Sequence, residues 1–234
     1  MGTGQGGDDA GRPADAVRPG GPDLRSETSR LLAFSDGVFA IVITLLVLDL
    51  QPPDVGRGRM LHALVEQWPA YLAYLTSYLY VAVSWLNHRT TFHRVAGSSR
   101  GLQWWNLAVL SSTALLPFAT SVVSTTMQHG DRSDQRAAVA VYGLVGVLLS
   151  GAWLGLYHYL GRHHDLLHPA VPTGMYPAER LRALVGVVAY VLAGLLGFLV
   201  APPIALIVYL ALPVFYASTS EGLYGLRRRV RGSG

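Results

Sequence analysis

Apolar runs close to twenty residues long recur six times along this chain, and lipid leaves such runs few ways to fold. Their spans are roughly 31–50, 69–92, 102–124, 137–160, 181–200 and 203–220. Each matches the ~20 residues that an α-helix needs to cross ~30 Å of hydrocarbon. The runs are continuously apolar rather than alternating, so helices fit and transmembrane strands do not. Charged residues make up 14% of the 234 positions, against about 25% in soluble domains. The class is therefore an all-α polytopic membrane protein with six transmembrane helices per subunit. Ala201-Pro202-Pro203 alone separates the last two runs, which predicts a tight hairpin. Cysteine is absent, so no disulfide, thiolate metal site or cysteine nucleophile exists.

All 18 basic residues are arginine, and they sort by membrane side. With both termini cytoplasmic, fourteen fall inside and four outside (Arg57, Arg59, Arg132 and Arg136). The positive-inside rule selects this orientation, so the net charge of +4 reflects topology and implies no nucleic-acid partner. Residues 1–29 are rich in Gly, Pro, Asp and Arg and read as a disordered cytoplasmic tail without the apolar core of a secretory signal. Residues 30–224 form the transmembrane domain. Residues 225–234, with Arg227, Arg228, Arg229 and Arg231, form a basic cytoplasmic tail that anchors topology and meets anionic lipid.

The first run carries two separate faces. Ile41, Thr44, Leu45 and Leu48 follow the spacing i, i+3, i+4, i+7 and share one stripe. Asp36 lies roughly 130° from the centre of that stripe, at about 100° per residue. A carboxylate in a membrane helix costs several kcal/mol unless partners hold it, so it marks function or a structural anchor. Candidate partners sit at the same depth: Trp85 and His88 at the end of the second run, Asn106 at the start of the third, and Ser35 with Arg30 or Arg89 beside it. A buried polar knot that pins three helices accounts for this set. A Ser35-Asp36-His88 catalytic arrangement is the competing idea, but Ser35 lacks the strand-to-helix elbow that exposes such a nucleophile. No catalytic residue, cofactor or resident metal ion is assigned. The stripe itself suits either ordinary helix packing or a ring of apolar side chains around a symmetry axis.

Other features carry less. Asp49 and Asp54 suit either an acidic outer mouth or plain solvated loop charge. His158, His163, His164 and His168 have no carboxylate nearby except Asp165, and a titrating loop fits them better than a metal site. Pro117 predicts a kink in the third run. Phosphate-binding glycine loops, arginine-rich voltage-sensor helices and the Thr-Val-Gly-Tyr-Gly filter do not occur.

Arg30-x-x-x-Phe34-Ser35-Asp36-Gly37, followed by Ala40-Ile41-x-x-Thr44-Leu45-Leu46-x-Leu48, resembles the signature of the transmembrane-protein-175 family. The likeness continues in Trp85-x-x-His88-x-x-x-Phe92, Asn106-Leu107 and Leu116-Pro117-Phe118. The resemblance implies a potassium-permeable cation channel of the cell membrane, not an enzyme, with modest selectivity over sodium. It implies a homotetramer surrounded by lipid, with potassium passing transiently through a pore lined by the first helix. Ile41, Leu45 and Leu48 match the family's pore layers, and Thr44 matches its threonine layer. Phe34, Ser35 and Asp36, with His88 and Asn106, match a motif tied by hydrogen bonds to neighbouring helices. Asn87-His88 stands where many members carry two histidines, which points to a rewired network. The alternative from the residues themselves is a proton-coupled secondary transporter using Asp36 and His88.

Overall fold

The computed structural model describes residues 24–171 and 175–219. The expected tail over residues 1–23 and the basic tail over 225–234 lie outside the described residues. Among the described residues the fold is helical, with one isolated bridge pair, Val95 and Leu167, and no strand.

Helix α1 runs Leu24–Leu46 and ends in a 3₁₀ turn, Val47–Asp49. It starts several residues before the first apolar run, inside the stretch read as disordered from composition. The polar turns there extend a helix whose apolar part drives its formation. A short helix α2, Met60–Glu66, follows in the loop. Then come α3 (Trp68–Phe92), α4 (Arg100–Ala114), α5 (Leu116–His129) and α6 (Arg132–Leu160). Helices α7 (Met175–Leu199) and α8 (Pro202–Thr219) close the bundle as the expected hairpin.

Local chemistry sets several of these boundaries. Ser99 caps α4 by accepting from the Leu102 N–H at 3.2 Å, and Asp131 caps α6 by accepting from Ser133 and Asp134. Pro69, Pro117 and Pro202 each lie in the first two positions of a helix, where the missing N–H costs nothing. Pro117 does more than kink the third run. It splits the run at Leu115 into α4 and α5, because Pro117 has no N–H to give to the Thr113 carbonyl and its ring crowds that carbonyl. Helix α7 begins before its apolar run. Glu179, Arg180 and Arg182 are helical, and charge hid that turn from hydropathy.

Among the described residues, five stretches are long and apolar enough to cross a bilayer: α1, α4–α5, α6, α7 and α8. Helix α3 falls short because of its hydroxyl, amide and imidazole groups. Several of those groups are paired inside the bundle. Ser77 bonds to both Thr120 and Tyr142, and Ser84 accepts from the Trp153 indole at 3.1 Å. Interhelical bonding of this kind makes a polar helix compatible with lipid.

Helix α6 is the hub, packing on α4, α5, α7 and α8. Its packing on α7 requires Gly146, where a Cβ would overlap the buried Tyr190 ring. Gly146→Ala is expected to destabilise the subunit by about 1–3 kcal/mol through overpacking. A thermal melt of the purified protein checks this. Helix α1 sits to one side, against α3, α4 and α5.

Candidate functional site

Helix α1 packs into the subunit through one side only. Ser35, Phe39, Val42 and Leu46 are buried there. Ser35 is the point of polar attachment. The Asn106 Nδ2 on α4 donates to Ser35 Oγ at 3.0 Å, and Ser35 Oγ donates on to the Leu31 carbonyl at 2.9 Å. Asn106 Oδ1 and His88 Nε2 on α3 lie 2.7 Å apart. With the amide N–H given to Ser35, Asn106 Oδ1 must accept, so His88 carries its proton on Nε2. A directed string thus runs from α3 through α4 to α1. It is enclosed: Phe92 stacks on the imidazole at 4.3 Å and Phe39 meets it edge-on at 5.3 Å. His88 Nδ1 is left buried with no hydrogen-bond partner.

Asp36 belongs to a second contact. Its Oδ1 accepts from the Trp85 indole N–H at 2.7 Å. The Arg89 guanidinium lies over the same indole, 5.1 Å from its centroid, in cation–π range. A cation therefore reaches the carboxylate's neighbourhood through an aromatic ring. Of the seven residues grouped from sequence, Ser35, Asn106 and His88 form one string and Asp36 with Trp85 form a pair. Arg30 and Phe34 lie on the exposed side. Sequence grouping missed Phe39 and Phe92, the rings that cover the imidazole. Phe92 is one helical turn after His88 and Phe39 one turn after Ser35, so helical spacing alone identifies them.

Among the described residues, none covers the opposite side of α1. Ile41 is 60% exposed and Leu48 61%, with Leu45 and Thr44 exposed between them. Thr44 gives its hydroxyl proton to the Ile41 carbonyl at 2.8 Å, so the face presents oxygen lone pairs. The stripe also extends beyond the four positions picked from spacing. Gly37 opens onto empty space and Phe34 is 56% exposed, one and two turns earlier. Asp49 at the far end is half-buried and bonded to Ser121 on α5, whereas Asp54 is exposed. The two carboxylates do not share one setting. In the loop after α6, His163 bonds to the Tyr159 carbonyl and stacks on its ring. No three His, Asp or Glu residues converge on a metal-sized space among the described residues.

Residues 30–117 match the family model described as "Endosomal/lysosomal potassium channel TMEM175". That segment contains the outward stripe of α1 and the residues of the Ser35–Asn106–His88 string and the Asp36–Trp85 pair. A protein of Streptomyces collinus described as a potassium channel is 41% identical over 178 residues, covering 76% of this chain and 85% of that protein. The rat protein described as "Endosomal/lysosomal proton channel TMEM175" is 32% identical over 69% of this chain, and the match spans 34% of its own length. Among solved structures, a crystal structure described as a lysosomal potassium-selective channel TMEM175 homolog from Chamaesiphon minutus matches with a TM-score of 0.69. It is 30% identical, and the match covers 82% of this chain and 97% of that one.

Proposed function

The chain belongs to the TMEM175 family of ion channels, and from that premise we propose that it conducts potassium across the cell membrane as a homotetramer of six-span subunits over residues 30–224. The relatives' names support potassium as the permeant ion. Arginine placement supports cytoplasmic termini.

One observation carries the reading. The outward stripe of α1 is an apolar face, broken by a threonine, that none of the described residues of its own subunit covers. Around a symmetry axis, copies of Ile41, Leu45 and Leu48 make a hydrophobic constriction whose radius sets the barrier to water and ions. Thr44 contributes a ring of acceptor oxygens that replaces part of an ion's water shell. Without a stack of backbone carbonyls the replacement is partial, so preference for potassium over sodium is modest. Reversal potentials in a planar bilayer under potassium–sodium gradients test this. A small shift toward potassium is expected; no cation current at all from folded protein contradicts it.

The inward side of α1 holds the helix in register without touching ions. Asp36→Ala strands the Trp85 indole and is expected to cost about 1–3 kcal/mol. It should lower the yield of assembled protein while leaving the potassium-to-sodium ratio intact. An assembled variant with a changed ratio would place Asp36 in the ion path. The proton-coupled alternative asks Asp36 and His88 to pass a proton between them. The partners they hold argue against it: Asp36 takes the Trp85 N–H, and His88 gives its own N–H to Asn106.

A further inference from the structure

A cleft of about 440 Å³ opens where the first turns of α1 meet the end of α3 and the loop after α6. Leu32 and Phe92 make its floor; Thr28, Ser29, His93 and His168 stand around its rim. None of the residues that line it is acidic. The rim is rigid. Val95 pairs with Leu167, the His168 N–H donates to the Arg94 carbonyl at 3.0 Å, and the Ala96 N–H donates to the Leu166 carbonyl at 2.8 Å. This clasp fixes two imidazoles from distant parts of the sequence at one opening.

The depth of the cleft is set by the helices around it. Thr28 begins the apolar window of α1, and Phe92 ends α3. The opening therefore lies where hydrocarbon gives way to headgroups, on the side to which the arginine count assigns the cytoplasm. Its surface is amphipathic in the same sense as a phospholipid. The rim offers imidazole N–H groups and the Ser29 hydroxyl as donors to phosphate oxygens. The floor is apolar, and Leu32 belongs to the membrane-spanning part of α1. A free, fully hydrated phosphate gains little from such a floor, whereas a lipid lays its first methylenes there.

We propose that this cleft binds the phosphate of an anionic phospholipid, held by His93, His168 and Ser29. The site rests on the chain being a membrane protein and not on conduction, so its test is a binding measurement. Since α1 forms one wall, a bound headgroup ties the start of that helix to α3 and the clasp.

The test uses the full chain with Arg227, Arg228, Arg229 and Arg231 changed to Gln, which removes the tail's own attraction for anionic lipid. Retention of phosphatidylglycerol and of phosphatidylcholine by the purified protein is read by native mass spectrometry. Preferential retention of phosphatidylglycerol is expected. His93→Ala with His168→Ala should weaken it about tenfold, the equivalent of one charge-assisted hydrogen bond. Ser29→Asp should weaken it as well, by placing a like charge in the rim. All three residues are exposed, and unchanged melting confirms that the variants fold. Equal retention of the two lipids, or an unchanged preference in both variants, overturns the proposal. So does displacement of phosphatidylglycerol by glycerol 3-phosphate, which would assign the cleft to a soluble phosphate.

Discussion

Ile41→Asn is expected to raise potassium flux roughly tenfold, the effect of lowering the barrier by about 1.4 kcal/mol. An apolar ring resists conduction because an ion entering it loses water without gaining a ligand. An amide at the same position offers both a donor and an acceptor, so water fills the constriction and accompanies the ion. The side chain is 60% exposed within its own subunit, so the substitution opens no hole in the core and should leave the fold intact. Selectivity should fall as flux rises, since a wetter ring strips less water from the ion. Potassium flux into liposomes, beside sodium flux in matched vesicles, reads both effects. Unchanged flux from well-folded Ile41→Asn protein would move the constriction elsewhere or make the stripe a packing face.

The second large effect falls on assembly. Asn106→Ala removes a side chain that bonds to α1 and α3 together. His88 loses its acceptor and Ser35 loses its donor, both in a fully buried setting. Single interhelical hydrogen bonds in membranes average only about 0.6 kcal/mol. Stranding the partners is costlier, at about 1–3 kcal/mol for each buried group. The expected sum, about 2–6 kcal/mol, is a large part of the stability of an ordinary domain. Trp85→Phe touches only the Asp36 pair and should cost less. Melting temperature and the assembled fraction in detergent rank the two variants. Equal losses would mean that the Ser35–Asn106–His88 string contributes no more than the Asp36–Trp85 pair.

The difference between those two contacts was not legible in the sequence. Ser35 and Asp36 lie on either side of the line opposite the outward stripe, each about 50° from it at 100° per residue. Spacing alone cannot say which of them meets His88 and Asn106. The rotation of α1 against its neighbours decides it, and that depends on how Phe39, Val42 and Leu46 seat in the core. The stripe was legible because a single periodicity identifies a face without any knowledge of what lies behind it. For the same reason the sequence placed Ile41 and Leu48 together but stopped short of Phe34 and Gly37. A glycine and a lone aromatic break the apolar pattern while still lying on the exposed side. Helix α2 and the charged first turns of α7 escaped because neither is an apolar run. Proline is read more easily than its consequence: Pro117 announced a kink, and the chain instead starts a new helix there.

The absence of cysteine permits a direct test of which side of α1 meets the permeant ion. A single cysteine at Leu48, on the exposed stripe, and another at Val42, on the buried side, would be the only thiols in their respective proteins. Silver ion is close to potassium in size and bonds irreversibly to thiolate. Applied to a conducting bilayer, it should block Leu48→Cys current rapidly and leave Val42→Cys and the unsubstituted protein unaffected. Block at Val42 and none at Leu48 would reverse the two faces of α1 and contradict the pore assignment.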